Sequence, residues 1–257
     1  MIYDVLKSYR RYLEEKYQSE TARTYYIRLC SLFKGQSLVD IERVLNINNI
    51  LKNLADIKYK NYFSQSKNAF LNYCEFQNIQ LPTQVLEIIK ELELNTHRKY
   101  RRLELLDYTK IESKINHLHN EKMKLCYRVL VSTGLRVSEL AGITADNCLI
   151  TPSNITFHFV GKGGQNETVS LYNHEYPALY ENIKEHIENT APDQKLFYSA
   201  IYLQTTAKKL GFKCHDLRRV FAKTTYKKSR SKTLVMEKLR HTNIKTTEIY
   251  LKSRIKI

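Results

Sequence analysis

This chain has no pair of cysteines spaced C-x-x-C. Its five cysteines, Cys30, Cys74, Cys126, Cys148 and Cys214, are scattered and odd in number. That pattern excludes a zinc ribbon or finger as the organising element and predicts no metal site. The five read as reduced, mostly packed thiols of a cytosolic protein. No apolar run approaches the ~18 residues of a membrane span. The first sixteen residues, MIYDVLKSYRRYLEEK, are charged and amphipathic rather than a secretory signal. Internal repeats and low-complexity segments are also missing.

What the chain does have is positive charge. Its 257 residues carry 42 Lys and Arg against 26 Asp and Glu, a formal charge of +16. Such an excess favours a polyanionic partner, either nucleic acid or an acidic surface. The excess is uneven. Residues 1–95 hold 13 basic and 11 acidic side chains, and the remainder holds 29 and 15. With 42% apolar content, the chain has enough for one large domain or two small ones.

Residues 2–17 place Val5, Leu6, Tyr9, Tyr12 and Leu13 on one stripe and predict a helix. Ser19 is a candidate cap for a second helix ending at Gly35. A third is expected at 38–54 and a fourth at 59–77, after which Leu81-Pro82 breaks the pattern. These four helices form an all-α unit, 1–95. The stretch 96–104, THRKYRRLE, reads as a basic linker in which Arg98, Lys99, Arg101 and Arg102 flank Tyr100. Such a run can track a phosphate backbone. A second unit, 105–257, is expected to hold helices at 108–119, 121–132, 175–189 and 198–210. Strands at 154–160 and 167–171 flank a glycine-rich turn. The fold class is mainly α with a small antiparallel sheet.

Three separated fragments carry the chemistry. Thr133-Gly134-Leu135-Arg136-Val137-Ser138-Glu139-Leu140 puts an arginine just after a turn glycine. Val160-Gly161-Lys162-Gly163-Gly164 puts a lysine in the turn between the two strands. His215 to Leu251 opens with His215 and Arg218, three apart and so on one helical face. It continues to His241 and, nine residues on, Tyr250. Between these, Leu217, Val220, Phe221, Leu234, Val235 and Leu239 recur at helical spacing, so packed helices would present the polar groups to a common cleft. Paired guanidiniums suit an anionic oxygen because each planar fork donates two hydrogen bonds and stays charged. Cys214 beside His215 admits a thiol nucleophile, but the arginines around it have a better explanation in oxyanion chemistry.

TGLRVSEL, the turn lysine, HDLRR and the histidine nine residues before a tyrosine occur together and in order. In this they resemble the tyrosine recombinase family (phage integrases, Xer-like enzymes) of site-specific DNA recombinases. The resemblance is sharpest over 105–251. It implies a four-helix core-binding domain followed by a catalytic domain, and an enzyme that integrates, excises or resolves DNA through a 3′-phosphotyrosyl intermediate. By resemblance Tyr250 is the nucleophile and Arg136 and Arg218 hold the scissile phosphate. His215 accepts a proton, His241 donates a hydrogen bond, Lys162 protonates the leaving 5′ oxygen, and Glu139 supports Arg136. Thr21, Arg23, Thr24 and Arg28 would face a DNA groove from the second helix. The resemblance implies no cofactor and no metal. It implies a double-stranded recombination site as partner, a homo-tetramer on synapsed DNA (a monomer or weak oligomer when free), no membrane partner and a cytoplasmic location.

The chain departs from the family pattern at Arg240, where glycine is usual before the histidine. An arginine there can add a phosphate contact or alter the turn. The turn reads GKGGQ where a second basic residue is common, and seven residues follow Tyr250. Two other readings stand beside the recombinase. One is a type IB-like topoisomerase, which reseals the same strand; the other is a non-catalytic DNA-binding protein.

Overall fold

The structure, a computed structural model, describes residues 6–35, 46–97, 106–161, 164–253 and 255–257. The chain divides into two compact units, Met1–Arg102 and Leu103–Ile257.

In the first unit the described helices are α1 (Lys7–Lys16), α2 (Ser19–Leu32), α3 (Ile47–Ala55), α4 (Lys60–Phe76) and α5 (Thr83–Leu94). Tyr9 and Leu13 on α1 lie one turn apart and are fully buried, as is Leu29 of α2. They join Ile50, Leu54, Phe63 and Phe70 in one apolar core. The Tyr9 hydroxyl, which burial would otherwise strand, donates to Asn72 Oδ1 at 3.0 Å. Gln18, not Ser19, is the N-cap of α2, and it makes no side-chain capping bond. The expected third helix falls partly outside the described residues. Its described part starts after Asn46, whose side chain accepts from the Asn49 N–H. α5 is a helix that the sequence reading did not expect. Pro82, read as a break, is its N-cap with φ −56°. A proline's fixed φ suits the start of a helix as well as it ends one.

The second unit opens with β1 (Leu106–Asp107), α6 (Tyr108–Asn116), α7 (Glu121–Thr133) and α8 (Val137–Gly142). A three-stranded antiparallel sheet follows, β2 (Cys148–Ile150), β3 (Asn154–Val160) and β4 (Asn166–Tyr172), in the order β2-β3-β4. Period-two alternation turns Ile155, Phe157 and Phe159 of β3 inward. Ile155 pairs with Leu171 and Phe157 with Val169, which sets the hairpin register. Next come α9 (Pro177–Glu188), α10 (Ala200–Lys209), α11 (Cys214–Ser229), α12 (Lys232–Lys238), α13 (Ile244–Leu251) and β5 (Ile255–Lys256). β5 pairs parallel to β1, Leu106 opposite Ile255. The two-residue strands and β2 are too short to show in a periodicity search. The main core collects Tyr127, Val129, Leu130, Phe157, Ile183, Leu203 and Leu217. A satellite cluster of Phe221, Ala222, Val235, Leu239 and Tyr250 binds α11, α12 and α13 together.

Candidate active site

The site is built from four chain segments of the second unit. α7 ends at Gly134, whose φ is +66°. A Cβ there would stand 2.4 Å from the Phe221 ring. Only glycine fits a turn that is both left-handed and pressed against α11. The turn buries Leu135 and leaves Arg136 at the N-cap of α8. Glu139 is the third residue of that helix. Its carboxylate accepts from the Arg136 backbone N–H at 2.8 Å and from Arg136 Nη1. Burial would raise the Glu139 pKa. The bonds from Arg136 and the charges of Arg240 and Arg136 outweigh that, and hold the carboxyl below its ordinary range.

α11 carries His215 and Arg218. Arg218 is 1% exposed. It donates from Nη1 to the Gly134 carbonyl and from Nη2 to the Leu239 carbonyl, so one side chain ties the ends of α7 and α12 to α11. Glu139 Oε2 stands 4.0 Å from its Nη1. Burial first, then the charges of Arg136 and Arg240, lower the Arg218 pKa to about 10. It remains a cation at neutral pH.

Tyr250 is buried on α13. Its ring packs edge to face against two imidazoles, with centroids 5.0 Å from His215 and 4.9 Å from His241. His241 Nδ1 is 3.0 Å from Thr247 Oγ1, a hydroxyl that is itself fully buried. Both imidazoles have pKa values lowered to about 4. The first cause in each case is desolvation. The next are Arg219 and Arg218 for His215, and Arg218 and Arg136 for His241. His215 keeps an exposed face. A cleft of about 510 Å³ opens beside this group, lined by Arg136, His215 and Arg218 together with Gln204, Lys208 and Lys213. No group of metal-binding side chains occurs among the described residues. No described helix is long and apolar enough to cross a membrane.

Of the residues singled out from sequence, the structure brings together Arg136, Glu139, His215, Arg218, His241 and Tyr250. Lys162, Arg98, Lys99, Arg101 and Arg102 lie outside the described residues. In the first unit Thr21 and Arg23 are exposed on α2, while Thr24 and Arg28 are half-buried. Arg28 is engaged by α4: its guanidinium sits 4.5 Å from the Tyr62 ring centre and Nε donates to Gln65. The five cysteines are free, and burial pushes the Cys214 thiol up to about 11, which works against a thiolate nucleophile.

Sequence reasoning missed two participants, Thr247 and Glu167, and the partners of a third, Arg240. Thr247 backs His241, and its signal was a second threonine in the run Thr246-Thr247 that faces inward. Arg240 and Glu167 form an ion pair across sequence distance that no spacing rule reveals. Arg240 Nη2 also donates to Glu139 at 3.0 Å. In this structure the Arg240 guanidinium is held by the Glu139 and Glu167 carboxylates.

Comparison with known proteins bears on family and fold. The phage integrase family profile matches residues 102–256. The tyrosine recombinase XerA of Saccharolobus solfataricus is 30% identical over 161 residues, 59% of this chain and 54% of that protein. The chain thus matches about half the length of that relative. A tyrosine recombinase of Thermosipho africanus is 26% identical over a 285-residue alignment, covering 98% of this chain and 93% of the relative. Among solved structures, a lambda integrase tetramer bound to a Holliday junction superposes with a TM-score of 0.67 at 15% identity. It covers 98% of this chain and 77% of that one. At that identity the likeness speaks for the fold.

Proposed function

The chain belongs to the phage integrase family, and from that membership we propose that it is a site-specific DNA recombinase acting through a tyrosyl intermediate. The Tyr250 oxygen attacks the phosphorus of one backbone phosphodiester and its proton passes to His215. The bond from phosphorus to the 5′ oxygen breaks as the bond to Tyr250 forms. Lys162 supplies the proton that the departing oxygen needs. The product is a 3′-phosphotyrosyl ester with a free 5′-hydroxyl, and attack by a second 5′-hydroxyl reverses the step.

Negative charge on the non-bridging oxygens is met by Arg136 and Arg218. A fixed guanidinium stabilises such charge far better than reorganising water can. Glu139 sets the fork of Arg136 before substrate arrives. A hydrogen on His241 Nε2 leaves Nδ1 to accept from Thr247, which aims the other nitrogen at the phosphate. His215 is neutral at pH 7 because its pKa is lowered, so it can accept a proton. The first unit and the basic stretch 96–104 are assigned to gripping the duplex. By analogy with the lambda integrase tetramer, four protomers act on two duplexes.

The observation that carries this reading is the packing of Tyr250 against both His215 and His241, with Arg218 close enough to feel the phenol and His241 close enough to feel Arg136 and Arg218. The test is a suicide DNA substrate bearing the cognate site, scored for a covalent adduct. Wild type forms the adduct; Tyr250→Phe forms none while its DNA affinity stays the same. An adduct that survives Tyr250→Phe removes the nucleophile assignment. Strand exchange between two matched sites, rather than resealing of one strand, separates a recombinase from a topoisomerase.

A further inference from the structure

α12 ends in a turn that usually takes glycine, and here it takes Arg240. The Arg240 N–H bonds to the Glu237 carbonyl at 2.8 Å, and the His241 N–H reaches back to the Met236 carbonyl at 3.0 Å. This double closure needs a left-handed residue at the first position past the cap, and Arg240 has φ +54°. A side chain at such a φ costs free energy relative to glycine.

Its side chain repays that cost by what it joins. The guanidinium is mostly buried, with 14% of the side chain exposed. It donates from Nη2 to Glu139 Oε2 at 3.0 Å. Nε stands at ion-pair distance, 2.9 Å, from Glu167 Oε2, without the alignment of a hydrogen bond. Its flat face lies 5.1 Å from the centre of the Phe159 ring. Glu139 is the carboxylate that orients Arg136. Glu167 lies on β4 with its carboxylate against Gly161, where a Cβ would meet it at 2.4 Å. One guanidinium therefore links three pieces: the turn that ends in His241, the carboxylate behind Arg136, and the base of the β3–β4 hairpin.

We propose that Arg240 is a positioning residue. It locks the His241 turn to the Arg136 support and to the hairpin, a role that a glycine at this position cannot perform. The inference rests on the recombinase reading and goes beyond it, since it gives Arg240 a role exerted through Glu139 and Glu167. Misplacement of catalytic groups by about an ångström can cost on the order of 100-fold in rate.

The test measures single-turnover adduct formation at saturating protein, alongside DNA affinity and thermal melting. Arg240→Gly removes the backbone penalty and the tie together. It is expected to cleave at least about tenfold more slowly, with DNA affinity within about twofold of wild type. Arg240→Lys, which keeps the charge but cannot bridge both carboxylates, recovers part of the rate. Glu167→Gln guards against misfolding of the glycine variant, because it leaves the turn untouched and conserves volume. A loss of cleavage at unchanged affinity and melting supports the tie. Wild-type rates in both Arg240→Gly and Glu167→Gln overturn it. A wild-type protein that forms no adduct at all would count against the recombinase reading instead, so the two failures are distinct.

Discussion

Tyr250 and His215 meet edge to face, their ring centroids 5.0 Å apart and their planes at 63°. His241 flanks the same phenol at 4.9 Å. Packing against the phenol and the surrounding guanidiniums makes the charged imidazole unfavourable on both sides, and both histidines drop to about 4 from an ordinary 6.5. The unfolded chain has no such penalty. Between pH 6.5 and 4 it binds protons that the folded chain refuses, so stability falls as pH falls through that window. The urea midpoint is expected to decrease from pH 7 to pH 5. The decrease should be shallower in His215→Asn/His241→Asn. An equal slope in that double variant would remove the histidines as its source.

The same depression predicts a coupling to DNA. A bound phosphate brings negative charge to imidazoles whose pKa values the neighbouring arginines help to lower, so those values rise on binding. At pH 5.5 complex formation should take up protons, and affinity should increase from pH 7 to pH 5.5. Calorimetry in two buffers of different ionisation enthalpy measures the uptake directly. No uptake, or an uptake unchanged in the double asparagine variant, contradicts a phosphate seated near these rings.

The parts of the site that could be read from sequence are those whose chemistry is tied to local spacing. Arg136 follows a turn glycine, and His215 and Arg218 share a helical face. Tyr250 was distinguished from eighteen other tyrosines by its distance from His241 alone. Most helix positions followed from apolar periodicity. α5 was lost because proline marks both ends and beginnings of helices, and β1 and β5 because two residues make no period. The Arg240–Glu139–Glu167 cluster was invisible for a different reason. Its members are 28 and 73 residues apart in sequence and meet only through tertiary packing. That Arg218 spends two donors on backbone carbonyls was equally unreadable, since the sequence shows a charge but not its burial.

Two glycines near the site should respond oppositely to alanine. At Gly134 the new Cβ would have to occupy left-handed space and stand 2.4 Å from the Phe221 ring. Gly134→Ala should therefore cost about 2 kcal/mol or more, and adduct formation should fall as the carbonyl that holds Arg218 shifts. Gly142, at the end of α8, has nothing within 4 Å of the added carbon. Gly142→Ala should be neutral or stabilising by about 0.5–1 kcal/mol. Denaturant midpoints of the two variants decide the matter, and equal effects would refute the steric account of the α7–α8 turn.

The two guanidiniums proposed to hold phosphate should separate cleanly in stability. Arg218 is buried, and its removal strands the Gly134 and Leu239 carbonyls and takes a compensating charge from beside Glu139. Arg218→Ala should cost about 3–5 kcal/mol, the range for breaking a buried charged network. Arg218→Lys keeps the charge but cannot reach two carbonyls with one nitrogen, so it should fall between wild type and alanine. Arg136 has 28% of its side chain exposed. Its loss leaves Glu139 still paired with Arg240, so Arg136→Ala should change stability by no more than about 1 kcal/mol. Both variants should fail to form the covalent adduct. Arg136→Ala would then be a folded, DNA-binding, inactive protein, while Arg218→Ala would lose activity partly through loss of the fold. Thermal melting followed by adduct assays at a temperature where both are folded distinguishes these outcomes. A destabilisation by Arg136→Ala as large as that of Arg218→Ala would mean that Glu139 depends on Arg136 for its charge balance and not on Arg240.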